Sequence, residues 1–432
     1  MKRLLHIAAH LGGGAGKAIS GLIKNISGYE NTVVLLEEPQ DSRYCDACRQ
    51  TGAGIIIAPS SDEIVRLARE YDAVIFNWWA HPLTVDLIKK LGEAETRLIL
   101  WSHINGLQYP VLTPDLICSF DGCMLTSPCT LKNKRFTDEE RDRAAEKCSY
   151  VYGTGDFRPE TFPHKDSYET DDTIVIGYIG TLDNAKINPG FPKICSGIKK
   201  HIHNAKFVLC GKYSAEFREN FFADHPELED CTEFTGFVRE PEKILPTFDI
   251  FCYPLACENY ATTENALLEA MAAGLPVVVL DNPAEREIVE NEMTGIVADG
   301  IDSFTEKTVG LCGDEEYRRK LGISARNAVI RKYDASVNAG CFTDAVENVL
   351  KTEKKKHDLS SVIGRGIWDS FLYFCGDDRQ KILDVMKGKN VKLPAIYYSE
   401  SKSSPAQYMK YFDDENIKML AERISQNVRM EK

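Results

Sequence analysis

The sequence predicts an α/β protein of two parallel-sheet domains in series followed by a mainly helical extension, and three observations carry that prediction. Apolar strand-like runs alternate with amphipathic helical runs from the first residues onward, the pattern of repeated βα units. A polar segment at residues 158–173, RPETFPHKDSYETDDT, interrupts the alternation, and IVIGYIGTL restarts it. After residue 350 the charged stretch KTEKKKHDLSS opens a region that runs to residue 432 without strand alternation. The length agrees, since domains run to about 100 to 200 residues each. The boundaries expected are 1–165 and 174–345 for the two domains and 346–432 for the extension.

In the first half the strand-like runs are RLLHIAA, NTVVLLE, GIIIA, AVIFNWW, RLILWSH, GCMLTS and YVYGTG. Between them GKAISGLIKNI, SDEIVRLAREY and HPLTVDLIKKLGE carry the 3.6-residue apolar period of helices. In the second half the strands are IVIGYIGTL, AKFVLCGK, CTEFTGFV, IFCYPLA and PVVVLD, with TTENALLEAMAAG and DEEYRRKLGISARNAVIRKY as the strongest helices. The extension ends in the helical DDENIKMLAERISQNVRM.

Composition narrows the class. Hydrophobic residues make up 43% and charged residues 27%, a globular balance rather than a disordered one. A net charge of −13 argues against a nucleic-acid partner, because duplex binding concentrates Lys and Arg. The start, MKRLLHIAAHLGGG, reads as a first strand rather than a signal peptide, and no apolar run approaches the roughly 20 residues of a membrane helix. Most of the 14 cysteines sit in apolar runs such as FVLCGKY and DIFCYPLAC, as free buried thiols do. Cys45 and Cys48 form a lone C-x2-C with no second pair at zinc-site spacing.

The glycine-rich turn in HIAAHLGGGAGKAISGL, residues 6–22, invites two phosphate-binding readings and fits neither. A nucleotide-triphosphate loop has Leu11 where its first Gly belongs and Ala18 where its metal-binding hydroxyl belongs. A dinucleotide fingerprint starting at Gly12 and Gly14 requires Gly where Lys17 stands. What remains is a general device in which glycines allow close approach and the following helix aims amides at an anion. Gly13, Gly14 and Lys17 are its candidates, with a positive φ expected at Gly14.

Four segments of the second half share a resemblance: GYIGTLDNAKI, FTGFV, LLEAMAAGLPVVV and EREIVENEMTGIV. Together they resemble the retaining glycosyltransferases of family four, the group 1 nucleotide-sugar enzymes, over residues 1–345 and most specifically over 176–300. The resemblance implies a GT-B fold, two Rossmann-like domains facing a central cleft, with an acceptor-side domain first and a donor domain second. It implies a hexosyltransferase that moves a sugar from a nucleotide-diphosphate donor, such as a UDP- or GDP-sugar, to an acceptor glycan, lipid-linked sugar or protein. Retention needs no strong protein base if the departing phosphate takes the acceptor proton. No resident cofactor and no metal are expected, and the location expected is cytoplasmic, with peripheral membrane contact allowed.

The same resemblance assigns roles. Gly180, Thr181 and Lys186 belong to the first turn of the donor domain, Thr263, Glu264 and Asn265 offer amides at a helix start, and Glu269 accepts from the ribose. The charge that gathers on a departing diphosphate calls for preorganised amides and cations of this kind. His103, in ILWSHINGL just past a strand, contacts the transferred sugar, and His103, Lys186 and Glu264 form the expected catalytic group. Two positions depart from the family pattern: Ala261 replaces a first Glu and Thr181 replaces an Arg. Glu264, or else Glu258, takes over the sugar contact, and Lys186 or Lys17 compensates for the missing cation. Asn77, Trp78, Trp79 and His81, in NWWAHPL at the end of the preceding strand, either stack on an acceptor or belong to the core. A non-catalytic scaffold of the same fold, or a nucleotide-sugar epimerase, is the alternative.

Overall fold

The structure, a computed structural model, describes every residue except Gln40, Asp166, residues 169–172, Ala185, Glu258, Tyr260, Ala261 and the last two, and beyond residue 426 it describes backbone only. Glu258 and Ala261, two of the positions weighed above, lie outside the described residues. The chain forms two compact units: Met1–Asp156 together with Asn338–Lys432, and Phe157–Val337.

The first unit holds seven strands: β1 (Lys2–Ala8), β2 (Tyr29–Leu35), β3 (Gly54–Ile57), β4 (Ala73–Trp78), β5 (Leu98–Ser102), β6 (Gly122–Leu125) and β7 (Cys148–Tyr150). Their order is β3-β2-β1-β4-β5-β6-β7, and every neighbouring pair is parallel. A parallel sheet must be covered on both faces, which is why β4 and β5 are buried at every position. Val74, Phe76 and Trp78 point into one apolar cluster while Ile75, Ile99 and Trp101 point into the other. Trp78 is therefore core, and only Trp79 is half-buried.

Residues 346–432 are mainly helical, as expected, but they are not an appendage. Val346 and Val349, with Phe342 just before them, enter the cluster on one face of the first sheet, and Phe371, Ile382, Tyr408 and Leu420 enter the cluster on the other. The chain before residue 157 leaves apolar sheet surface that this returning segment helps to cover.

The second unit holds β8 (Ile174–Ile179), β9 (Ala205–Cys210), β10 (Thr232–Gly236), β11 (Ile250–Tyr253), β12 (Val277–Leu280) and β13 (Ile296–Ala298). The order is β10-β9-β8-β11-β12-β13, again parallel throughout. The three-residue β13 is an addition to the predicted set. In each unit the strand order reverses once, between β1 and β4 and between β8 and β11, and ligands of open α/β sheets bind beyond the carboxyl ends of such strands. Gly211, just past β9, illustrates how tightly that edge is built: its φ is +155° and a Cβ would lie 1.7 Å from the Gly180 carbonyl oxygen.

Candidate functional site

At the switch point of the second unit the loops after β8 and β11 are tied to each other. Asn188 N–H donates to Pro254 O, Ala256 N–H donates to Lys186 O, and Ile187 forms a bridge with Leu255. Asp183 accepts from Lys186 N–H at 2.8 Å, fixing the backbone from which the lysine side chain extends. Lys186 Nζ then donates to Glu264 Oε2 at 3.0 Å, and Tyr253 Oη, from the last residue of β11, donates to the same oxygen at 2.5 Å. Burial opposes ionisation of Glu264, but the Lys186 ammonium and the two hydrogen bonds outweigh it and hold the carboxyl below its usual range.

Glu264 is the N-cap of the helix Asn265–Ala272. The first intrahelical bond runs from Leu268 N–H to Glu264 O, so Thr263 and Glu264 precede the helix rather than belong to it. Glu269 lies one turn further along on the face of Asn265 and is half-buried. In the turn after β8, Gly180 N–H donates to Cys210 O, and the Thr181 carbonyl accepts from Tyr178 Oη at 3.1 Å. Tyr178 in turn stacks on Tyr253, ring centroids 5.5 Å apart. Lys186 and Glu264 are thus brought together directly, with Gly180, Thr181, Thr263 and Asn265 on the same strand-end edge.

Sequence reasoning missed Tyr253 and Glu285. The second follows β12, is fully buried, and accepts from Asn282 Nδ2 at 3.1 Å, while its other oxygen has no hydrogen-bond partner among the described residues. Burial first, and then the nearby Glu264 charge, push its carboxyl up to about 7. An acid just past a parallel strand was the available signal. Because the folded value lies above the ordinary 4.5, Glu285 stabilises the fold fully below pH 4.5, and that contribution is lost as pH rises through 7. Denaturant unfolding at pH 5 and pH 8 should show Glu285→Gln gaining about 3 kcal/mol on the parent between the two. Equal pH slopes in the two proteins would contradict a neutral Glu285.

The remaining site residues lie in the first unit. The helix Gly13–Asn25 begins directly at the glycine turn, and the positive φ, +54°, belongs to Gly13 rather than to Gly14 as expected. Gly13 and Gly14 are exposed, and a Cβ on either would meet nothing within 4 Å. Lys17 is half-buried one turn on, its carbonyl packed closely against Gly155. His103 follows β5, half-buried between Trp101 and Trp79, with ring centroids 4.6 and 6.0 Å away. Asn77 Nδ2 donates to Ile7 O at 3.1 Å, so its Oδ1, 3.0 Å from His103 Nε2, must accept. The proton sits on Nε2 and Nδ1 is an acceptor. Burial holds this imidazole down at about 3, so it is uncharged at neutral pH. His81 is buried rather than presented to solvent.

Known proteins resemble this chain in sequence over part of its length and in fold over most of it. Residues 173–314 match the sequence model of the group 1 glycosyl transferases. The amylovoran biosynthesis glycosyltransferase AmsK of Erwinia amylovora is 36% identical over 77 residues, which span 17% of this chain and 19% of that relative's length. HepE from Anabaena, solved with UDP, superposes with a TM-score of 0.62 at 14% identity, covering 80% of this chain and 100% of the other. The lipopolysaccharide outer core galactosyltransferase WaaB, in its apo form, gives 0.63 at 16% identity over 80% of this chain and 99% of the other. No helix among the described residues is long and apolar enough to cross a membrane. Residues 173–314 thus resemble the group 1 glycosyl transferases in sequence, within a chain that has the GT-B fold.

Proposed function

We propose that this chain transfers a hexose from a nucleotide-diphosphate sugar to an acceptor hydroxyl, with retention at the anomeric carbon and with cations and amides of the protein, rather than a metal, neutralising the diphosphate. The observation that carries the reading is the Lys186–Glu264 pair, anchored by Tyr253 at the switch point of the second unit. A lysine held at a strand end beside a helix start stabilises the charge that develops on a departing diphosphate. The structural neighbour HepE is solved with UDP and with UDP-glucose, which supports a nucleotide-diphosphate sugar, such as a UDP-sugar, as donor here.

In this reading Lys186, the backbone of Gly180 and Thr181, and the amides of Thr263 and Asn265 bind the diphosphate. Glu264 holds Lys186 in place and accepts a hydrogen bond from the sugar, and Glu269 accepts from the ribose. Gly13, Gly14 and Lys17 offer amides and a cation to the same class of ligand. His103, neutral and with Nδ1 as acceptor, orients a sugar hydroxyl rather than donating a proton. The acceptor is a glycan, a lipid-linked sugar or a protein. Where the family pattern has an arginine, Thr181 supplies only a carbonyl to Tyr178, and that missing cation is what a nucleotide-binding scaffold without turnover would also show.

Titration calorimetry with UDP and GDP tests the site. Glu269→Ala should stay folded and bind its nucleoside diphosphate about 1 to 3 kcal/mol more weakly, the range of a charge-assisted hydrogen bond. Unchanged affinity in a folded variant removes Glu269 from the site. The anomeric configuration of the product, read by proton NMR, tests retention.

A further inference from the structure

Three strand ends of the first unit deliver side chains to one point that the transfer reading does not use. His10 follows β1, Glu37 follows β2 and His81 follows β4, and these strands are neighbours in the order β2-β1-β4. His81 Nε2 lies 3.7 Å and His10 Nε2 4.0 Å from the same atom, Glu37 Oε1, and the three ligand atoms all lie within 4.8 Å of one another. Such separations are too long for hydrogen bonds. They are close to the edge of a tetrahedron of ligands at 2.0–2.1 Å from a central ion, about 3.4 Å, so a small inward movement of the side chains completes a shell.

A second observation points to a ligand independently of that spacing. His81 is 1% exposed, and its Nε2 has no hydrogen-bond partner among the described residues, although a buried polar atom normally has one. The surroundings hold the array in position. Tyr411 Oη donates to Glu37 Oε2 at 2.5 Å, which turns Oε1 toward the two histidines, and the ring of Tyr411 packs edge-on against His81 at 5.2 Å. His10 is held by Trp79 and His81, with ring centroids 5.4 and 5.9 Å away. The His10 and Glu37 side chains are 35% and 28% exposed, leaving an entry path for an ion.

We propose that His10, Glu37 and His81 form a binding site for a divalent transition-metal cation, with a coordination position left for water. Two imidazoles and one carboxylate favour zinc over the all-oxygen ions magnesium and calcium. Binding through Nε2 places the His81 ring proton on Nδ1 and gives up the 3.4 Å contact from Leu83 N–H to that atom, already at the long limit for a hydrogen bond. Cys45 and Cys48, both buried within the helix Arg43–Gln50, serve as a control pair of soft ligands.

The test uses the full chain, stripped with a chelator and titrated with zinc against a chromophoric competitor, then with cobalt to read the ligand-field spectrum. One equivalent per chain is expected, with the spectrum of a nitrogen- and oxygen-ligated cobalt. His10→Ala and Glu37→Gln, both at partly exposed positions, should each weaken binding at least tenfold while keeping the parent circular dichroism. The Cys45→Ser/Cys48→Ser double variant should bind as the parent does. No stoichiometric binding, or binding untouched by both His10→Ala and Glu37→Gln, overturns the proposal. Because the readout is the metal itself, this outcome is separate from whether the chain transfers sugar.

Discussion

Replacing Lys186 by Ala should lower the rate of sugar transfer at saturating donor about a hundred- to a thousandfold, the loss seen when one preorganised group facing a developing negative charge is removed. The lysine is the only partner of Glu264 that carries a formal positive charge among the contacts described for it. Its loss also leaves a buried carboxylate whose remaining hydrogen bond among the described residues comes from the Tyr253 hydroxyl, so some loss of stability accompanies the loss of rate. Lys186→Arg keeps the charge but changes a compact ammonium for a planar fork, and should recover part of the rate. Rates are read under conditions where circular dichroism shows each variant folded. A folded Lys186→Ala protein with parental turnover would remove this lysine from the chemistry.

The second large effect concerns stability. A chain ending at residue 350 should fail to form the first unit, because Phe371, Phe374, Ile382, Val385, Tyr408, Ile417 and Leu420 are all buried in the cluster on one face of its sheet. Truncating a single buried Phe costs about 3 to 5 kcal/mol, and a whole domain is stable by only about 5 to 15. The point substitution Phe371→Ala should therefore already cost about 3 to 5 kcal/mol in denaturant unfolding. Thermal unfolding of the shortened chain should show the transition of residues 157–337 without that of the first unit. Two intact transitions would mean that the returning helices are dispensable.

Much of this architecture is legible in the sequence because continuous apolar runs such as AVIFNW and LILWS have few other fates than central parallel strands. β13 escaped because three residues inside a turn-rich segment carry no period to read. The destination of residues 346–432 was hidden for a different reason. Helical periodicity shows that a face is apolar but not which distant sheet it covers, and Phe371 meets Trp78's cluster from nearly 300 positions away.

The site divides the same way. Lys186 and Glu264 stand in motifs, yet their pairing across 78 residues depends on β8 and β11 being neighbours. Tyr253 sits in an apolar run, IFCYPLA, where a tyrosine reads as core; it is core, and its hydroxyl reaches Glu264 all the same. His10, Glu37 and His81 come from three separate strand ends and share nothing in sequence. Only the order β2-β1-β4 gathers them. The glycine turn shows a finer limit, since three consecutive glycines mark a turn without saying that Gly13 rather than Gly14 takes the left-handed conformation.

The central claim, that the second unit binds a nucleotide sugar for transfer, is tested most directly by incubating the protein with a panel of UDP- and GDP-sugars, with and without EDTA, and following donor consumption. The account predicts that one donor is consumed slowly even without an acceptor, that water serves as the substitute acceptor, and that EDTA leaves this rate unchanged because Lys186 and the helix-start amides carry the diphosphate charge. A strict need for magnesium or manganese would contradict the metal-free diphosphate site. Tight binding of a nucleotide sugar with no turnover toward water or any acceptor would contradict the transferase reading itself.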